Sequence, residues 1–183
     1  ILGREVPARE SAVITVGTFH GGLKENIIPA SAEFTLNVRS FEPAVREQVL
    51  GALRRILAAE AAASGAPEPL VEEISSFPRC YNEPDAAAGV IDALRGSLGE
   101  ENVRVVPPVM GSEDFGLLAD AIGVPSVYWM FGSTRADRLE AGEDVAGNHS
   151  PEFAPEVEPT LGTGLTAALA AILGRAPGPV PAN

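Results

Sequence analysis

Two short stretches of this 183-residue chain carry residue types that can do chemistry. Gly147-Asn148-His149-Ser150-Pro151-Glu152-Phe153 holds one of only two histidines, after a polar run and before the last helical segment. A neutral imidazole is the commonest protein ligand for a transition metal, and a short loop ahead of a helix can aim it into a cleft. The plain alternative is a surface or capping histidine. The second stretch, Gly111-Ser112-Glu113-Asp114-Phe115, sets two acids between an extended Pro-Pro segment and a helix start. Glu113 and Asp114 could face a metal or a substrate ammonium. They could equally sit in a first helical turn, where the dipole favours negative charge. Both readings stay open.

Arg39 lies on the polar side of an alternating run, with Asn26 in the loop before it. A guanidinium fork pairs a substrate carboxylate in two places at once, which no other side chain does. A solvated sheet face would use the same arginine to no such end. His20 precedes two glycines and is either a turn residue or a reachable polar group. Strand parity sets it with Ile14 and Val16, towards a core edge. Cys80 reads as a small packed side chain. A catalytic zinc takes three protein ligands and a two-metal site takes more. With two histidines and one cysteine far apart, the residues alone supply one good ligand, His149.

These groups need elements to position them. Val, Ile and Thr enrichment predicts a strand over 12–19. A second over 32–39 alternates Phe34, Leu36 and Val38 with Glu33, Thr35, Asn37 and Arg39, so one face is buried and one open. The pair reads as an antiparallel hairpin with a long loop. Pro43 opens an amphipathic helix that ends near Gly65, and 69–76 reads as a third strand. Two prolines around Cys80 mark a boundary at 77–84. Beyond it come a helix over 86–98, a strand over 103–106, a helix over 115–122, an apolar strand over 126–131, a polar loop over 132–148 and a closing helix over 159–173. Short apolar strands alternating with helices predict a parallel sheet covered on both faces. The Pro/Gly/Ala tail 176–183 is expected to be disordered.

Bulk properties remove whole classes of function. Hydrophobic residues at 45% against 21% charged are those of a globular chain. A net charge of −12 argues against nucleic acid and against an anionic membrane surface. No apolar run is long enough to span a bilayer. One cysteine forms no intrachain disulfide and fits a reducing, cytoplasmic setting.

In order, Val16-Gly17-Thr18-Phe19-His20-Gly21-Gly22, Asn26-Ile27-Ile28-Pro29, Val38-Arg39-Ser40-Phe41, Met110-Gly111-Ser112-Glu113-Asp114-Phe115 and His149-Ser150-Pro151-Glu152-Phe153 resemble the metal-dependent amidohydrolases of the aminoacylase and carboxypeptidase group. The subgroup holds hippurate hydrolases, N-acyl-amino-acid amidohydrolases and auxin-conjugate hydrolases. The resemblance runs from about Ser11 to Leu173. It implies an α/β fold of two parts: a partial ferredoxin-like α+β lid that dimerises (1–80), then the closing βαβα part of a mostly parallel catalytic sheet (81–175). It further implies two divalent metals per complete site, manganese or zinc, and a small N-acyl amino acid as substrate. On that pattern His149 is a metal ligand, Asn26 and Arg39 hold the substrate carboxylate and polarise the scissile carbonyl, His20 belongs to a subgroup motif, and Glu113 and Asp114 border the pocket. The family's other metal ligands and its glutamate base have no match here. The chain thus resembles a C-terminal half that starts inside the lid, with no catalytic group of its own and no turnover expected from it alone. The rival expectation is a non-catalytic dimerising or carboxylate-binding module of the same fold.

Overall fold

The computed structural model describes residues 1–174; the tail 176–183, for which disorder is expected, lies outside the described residues. The chain divides into two compact units. One is Ile1–Arg79 with Pro108–Asp114, the other Cys80–Pro107 with the chain from Phe115 onward.

The first unit is a hairpin backed by a long helix. β1 (Ala12–Gly21) and β2 (Ala32–Ser40) pair antiparallel, Val13 opposite Arg39 and Gly21 opposite Ala32. The register slips between Val16 and Thr18, so Gly17 is an extra residue with no partner on β2. Such a bulge reverses which side every later residue faces. Ile14, Val16 and Phe19 therefore lie opposite Val38, Leu36 and Phe34 on the apolar face, and the Phe19 and Phe34 rings stack at 5.7 Å. The parity that set His20 with Ile14 and Val16 is overturned. His20 stands opposite Glu33, on the polar face with Arg39.

Helix α2 (Pro43–Ala63) begins on a proline, whose fixed φ suits a first helical position, and passes through Ser64 to Gly65 at φ +65°. Its buried residues Val45, Val49 and Ala52 recur at three- and four-residue spacing, and Val49 is 0% exposed. The short helix α1 (Leu2–Glu5) is tied to α2: the Glu5 carbonyl accepts from Gln48 and its carboxylate pairs with Arg55. The apolar face of the hairpin is covered unevenly. Ile14, Leu36 and Val38 are half-buried, while Val16 and Phe19 are 58% and 66% exposed.

The second unit is built on two helices. α3 (Pro84–Leu98) starts under the Glu83 carboxylate, which accepts from the backbone N–H of Asp85 (3.2 Å) and Ala86 (2.7 Å). A 3-10 turn (Glu100–Asn102), α4 (Gly116–Ile122), α5 (Ala136–Glu140) and α6 (Val157–Leu173) follow. Val90 and Leu94 of α3 meet Ala167 and Ala171 of α6, with Val103, Val127 and Trp129 packed around them.

The fold is mixed α/β, as expected, but the expected strands over 69–76, 103–106 and 126–131 carry no ladder. Among the described residues the one sheet is β1 with β2. A strand is defined by a partner, and at Tyr128 a side chain takes the backbone groups instead. The Asn82 amide both donates to the Tyr128 carbonyl (2.9 Å) and accepts from its N–H (2.7 Å). Segment 69–76 is held to α2 by Arg46, which donates to Glu73 (2.7 Å) and Ser76 (2.9 Å).

Candidate functional site

In the first unit the hairpin lays its candidate residues at opposite ends of one polar face. Arg39 is at the base. Its Nε donates to Asn37 Oδ1 (2.8 Å) and its Nη1 to the Met110 carbonyl (2.6 Å). The second contact draws the 108–114 segment, and with it the acidic motif, onto the strand that carries the arginine. Two of the five guanidinium N–H groups are thereby used, and the side chain remains exposed. Beside it, Leu2, Pro7, Val13, Phe41 and Met110 line an open cleft of about 470 Å³.

His20 and Asn26 lie at the far end. His20 pairs across to Glu33, six positions along β2 from Arg39, about 20 Å at the usual rise per residue. Asn26 is further on, in the loop between the strands, inside a turn that the Ile27 N–H closes onto the Lys24 carbonyl (3.2 Å). Both side chains are exposed, and that loop also exposes Leu23 (94%) and Ile28 (93%). Arg39 is thus brought to the acidic stretch and kept away from His20 and Asn26.

Glu113 and Asp114 do not cap a helix. Glu113 Oε1 accepts from the N–H of Asp114 (3.0 Å), and α4 starts after Phe115 with no side-chain cap.

In the second unit His149 occupies a turn that the Ser150 N–H closes onto the Gly147 carbonyl (3.1 Å). Its φ is +70°, the left-handed region that non-glycine residues seldom adopt. The imidazole is exposed and makes no hydrogen bond among the described residues. The next turn is held by Ser150, whose Oγ accepts from the Glu152 N–H (3.2 Å).

The loop around His149 is closed by a residue that sequence reasoning passed over. Arg138, in α5, donates from Nε to Glu143 (2.7 Å) and from Nη1 to Glu156 (2.9 Å). The contacts with Glu156 and Glu143 raise its guanidinium above the ordinary arginine value. Arg135 holds the Asp137 carboxyl below the usual aspartate range by a hydrogen bond. In sequence, Arg138, Glu143 and Glu156 follow no helical spacing, so only the folded loop shows them as one group.

A metal centre needs more than His149. Among the described residues no three His, Cys, Asp or Glu side chains gather about one point, so these residues do not by themselves fit a catalytic metal. No described helix is long and apolar enough to cross a membrane.

Residues 8–64 match the M20 peptidase dimerisation domain. The chain is 33% identical over 155 residues to the uncharacterized hydrolase y4tI of Sinorhizobium fredii, covering 84% of this chain and 36% of that protein. It is 29% identical over 154 residues to an N-acetyldiaminopimelate deacetylase of Shouchella clausii, covering 80% of this chain and 40% of the enzyme. Its fold is similar to part of the Bacillus subtilis YXEP protein, a dinuclear metal-binding peptidase from the M20 family. That similarity has a TM-score of 0.64 at 24% identity over 91% of this chain and 43% of the other. The chain therefore spans well under half the length of these relatives.

Proposed function

We infer that this chain, a member of the M20 peptidase family, serves a longer amidohydrolase that cleaves the amide bond of N-acyl amino acids or similar small conjugates. The observation that carries the reading is Arg39: an exposed fork at the base of the dimerisation hairpin, seated beside the Met110–Asp114 motif and an open cleft. Three guanidinium N–H groups remain to take the carboxylate of the amino-acid half, and Met110, whose carbonyl holds the fork, also lines the cleft. The deacetylase relative removes an acyl group from an amine, which supports the same bond class.

The hairpin's length supports a dimer. One small substrate cannot reach Arg39 and the tip residues of the same copy across about 20 Å. Asn26 and His20 would meet an Arg39-bound substrate from the partner copy, with Asn26 donating its amide to the scissile carbonyl oxygen. The half-covered apolar face of the hairpin, with Phe19 and Phe34 at its outer end, supports burial against that copy. His149 would supply one ligand to a site of two divalent metals, manganese or zinc, whose other ligands this chain does not carry. Glu113 and Asp114 border the pocket. The chain alone is expected not to turn over, and its single cysteine supports a cytoplasmic setting.

The test is N-acetyl amino acid hydrolysis by the whole protein. His149→Ala should abolish turnover, and Arg39→Ala should raise KM by roughly tenfold to a hundredfold, the loss of a charge-assisted pair. Activity untouched by His149→Ala would sink the ligand role. Binding of N-acetyl amino acids without any hydrolysis would identify the carboxylate-binding module instead.

A further inference from the structure

We propose that Arg138 is the positioning residue of His149: its guanidinium staples both ends of the loop that presents the imidazole. The inference rests on the reading of His149 as a functional side chain.

The loop from Glu143 to Glu156 leaves α5 and returns to α6, with His149 near its middle. It is pinned twice at each end. The Glu143 N–H donates to the Arg138 carbonyl (3.1 Å) while its carboxylate takes Arg138 Nε (2.7 Å). The Glu156 N–H donates to the Ser133 carbonyl (3.0 Å) while its carboxylate takes Arg138 Nη1 (2.9 Å). One planar cation therefore fixes the separation and the relative orientation of the two ends. Arginine suits this because its donors diverge at fixed angles, whereas a lysine ammonium is a single point.

His149 needs such a frame. A histidine at φ +70° sits in a sparsely populated conformation, which persists only where the surroundings over-determine it. No hydrogen bond among the described residues holds the ring itself, and the flanking turns at Gly147–Ser150 and Ser150–Phe153 are each closed by one backbone bond. What keeps the turn in place is then the closure of the loop. Arg138 and Glu156 side chains are 37% and 24% exposed, so this arm is partly shielded from water, and Glu143 at 48% is the weaker arm.

The experiment is backbone amide exchange and His149 NMR, both amide and imidazole resonances, on the chain as it stands, for Arg138→Ala, Arg138→Lys, Glu143→Gln and Glu156→Gln. Arg138→Ala should speed exchange over 143–156 by about five- to tenfold, as expected for losing two partly exposed ion pairs. It should also shift the His149 resonances while α3 and α6 keep their protection. Glu156→Gln should reproduce most of this and Glu143→Gln less, with Arg138→Lys between wild type and alanine. Unchanged His149 resonances in Arg138→Ala overturn the proposal. Should Arg138→Ala fail to fold, the two glutamate variants decide, and their failure to move His149 overturns it equally. These readouts require no turnover, so they are independent of the result for His149→Ala in hydrolysis, which alone decides whether the imidazole functions at all.

Discussion

At the residue scale the chemistry of this chain depends on how few partners each polar side chain has left. Arg39 gives Nε to Asn37 and Nη1 to a main-chain carbonyl, which orients the fork without neutralising it. An arginine already paired to a carboxylate in that position would have its charge offset and fewer donors left for a substrate. Arg39→Lys should accordingly behave almost like Arg39→Ala in substrate affinity, because a lysine keeps the charge but not two parallel donors; KM measurements on both variants would show it. The Arg135–Asp137 pair gives a pH signature with a definite sign. Asp137 is depressed in the fold by the Arg135 hydrogen bond. Its contribution is complete above the ordinary aspartate value, about 3.9, and fades as pH falls through the lower folded value. A carboxyl NMR titration should return Asp137 to the ordinary range in Arg135→Gln. Both side chains are exposed, so the effect on overall stability is small.

At the element scale two glycines decide geometry. Gly17 is the extra residue of β1, and a Cβ there would come 3.2 Å from Thr35 Oγ1, whose hydroxyl is already bonded to Thr18 at 2.8 Å. Gly17→Val should destabilise the hairpin by roughly 1–3 kcal/mol, read by denaturant unfolding of the chain. Gly164 lets α6 approach the Phe131 ring, which would stand 3.0 Å from an added Cβ. The α3–α6 contact carries the second unit. Leu94, 6% exposed within the cluster of Val90, Ala167 and Ala171, should lose about 2–5 kcal/mol on truncation to alanine. That loss would be seen as earlier melting of the second unit. Asn82 holds Tyr128 by two hydrogen bonds where a neighbouring strand would use its own backbone. It ties the segment to the chain just ahead of α3 without a ladder.

At the scale of the whole molecule the hairpin's reach sets the argument. Arg39 at the base and Asn26 at the tip are too far apart to serve one small ligand in one copy. If two copies associate through the exposed apolar hairpin, Phe34→Glu should shift the sedimentation profile of the chain towards monomer, since a carboxylate beside Phe19 would be desolvated on association. A profile unchanged by Phe34→Glu would place any dimer contact elsewhere.

Much of this architecture was legible in local pattern. Alternation marked β2, Pro43 and Gly65 marked the ends of α2, and the apolar spacing marked α3 and α6, because helices and capped turns are decided by residues within four positions of one another. The ordered motifs likewise resemble the metal-dependent amidohydrolases of the aminoacylase and carboxypeptidase group, in line with the M20 dimerisation-domain match over 8–64. What local pattern could not decide depends on distant partners. The bulge at Gly17 turned His20 onto the face of Arg39, and a lone glycine in a strand was its only trace in the sequence. The runs over 69–76, 103–106 and 126–131 have strand composition, but a ladder requires a neighbour, and composition does not name one. Arg39 reaching Met110, and Arg138 gathering Glu143 and Glu156, join residues far apart in the chain through side-chain geometry that exists only after folding. Residue type and order thus settled which groups could act; the tertiary structure decided which of them share a face, a loop or an end of the hairpin, because proximity between distant residues is a property of the packed chain alone.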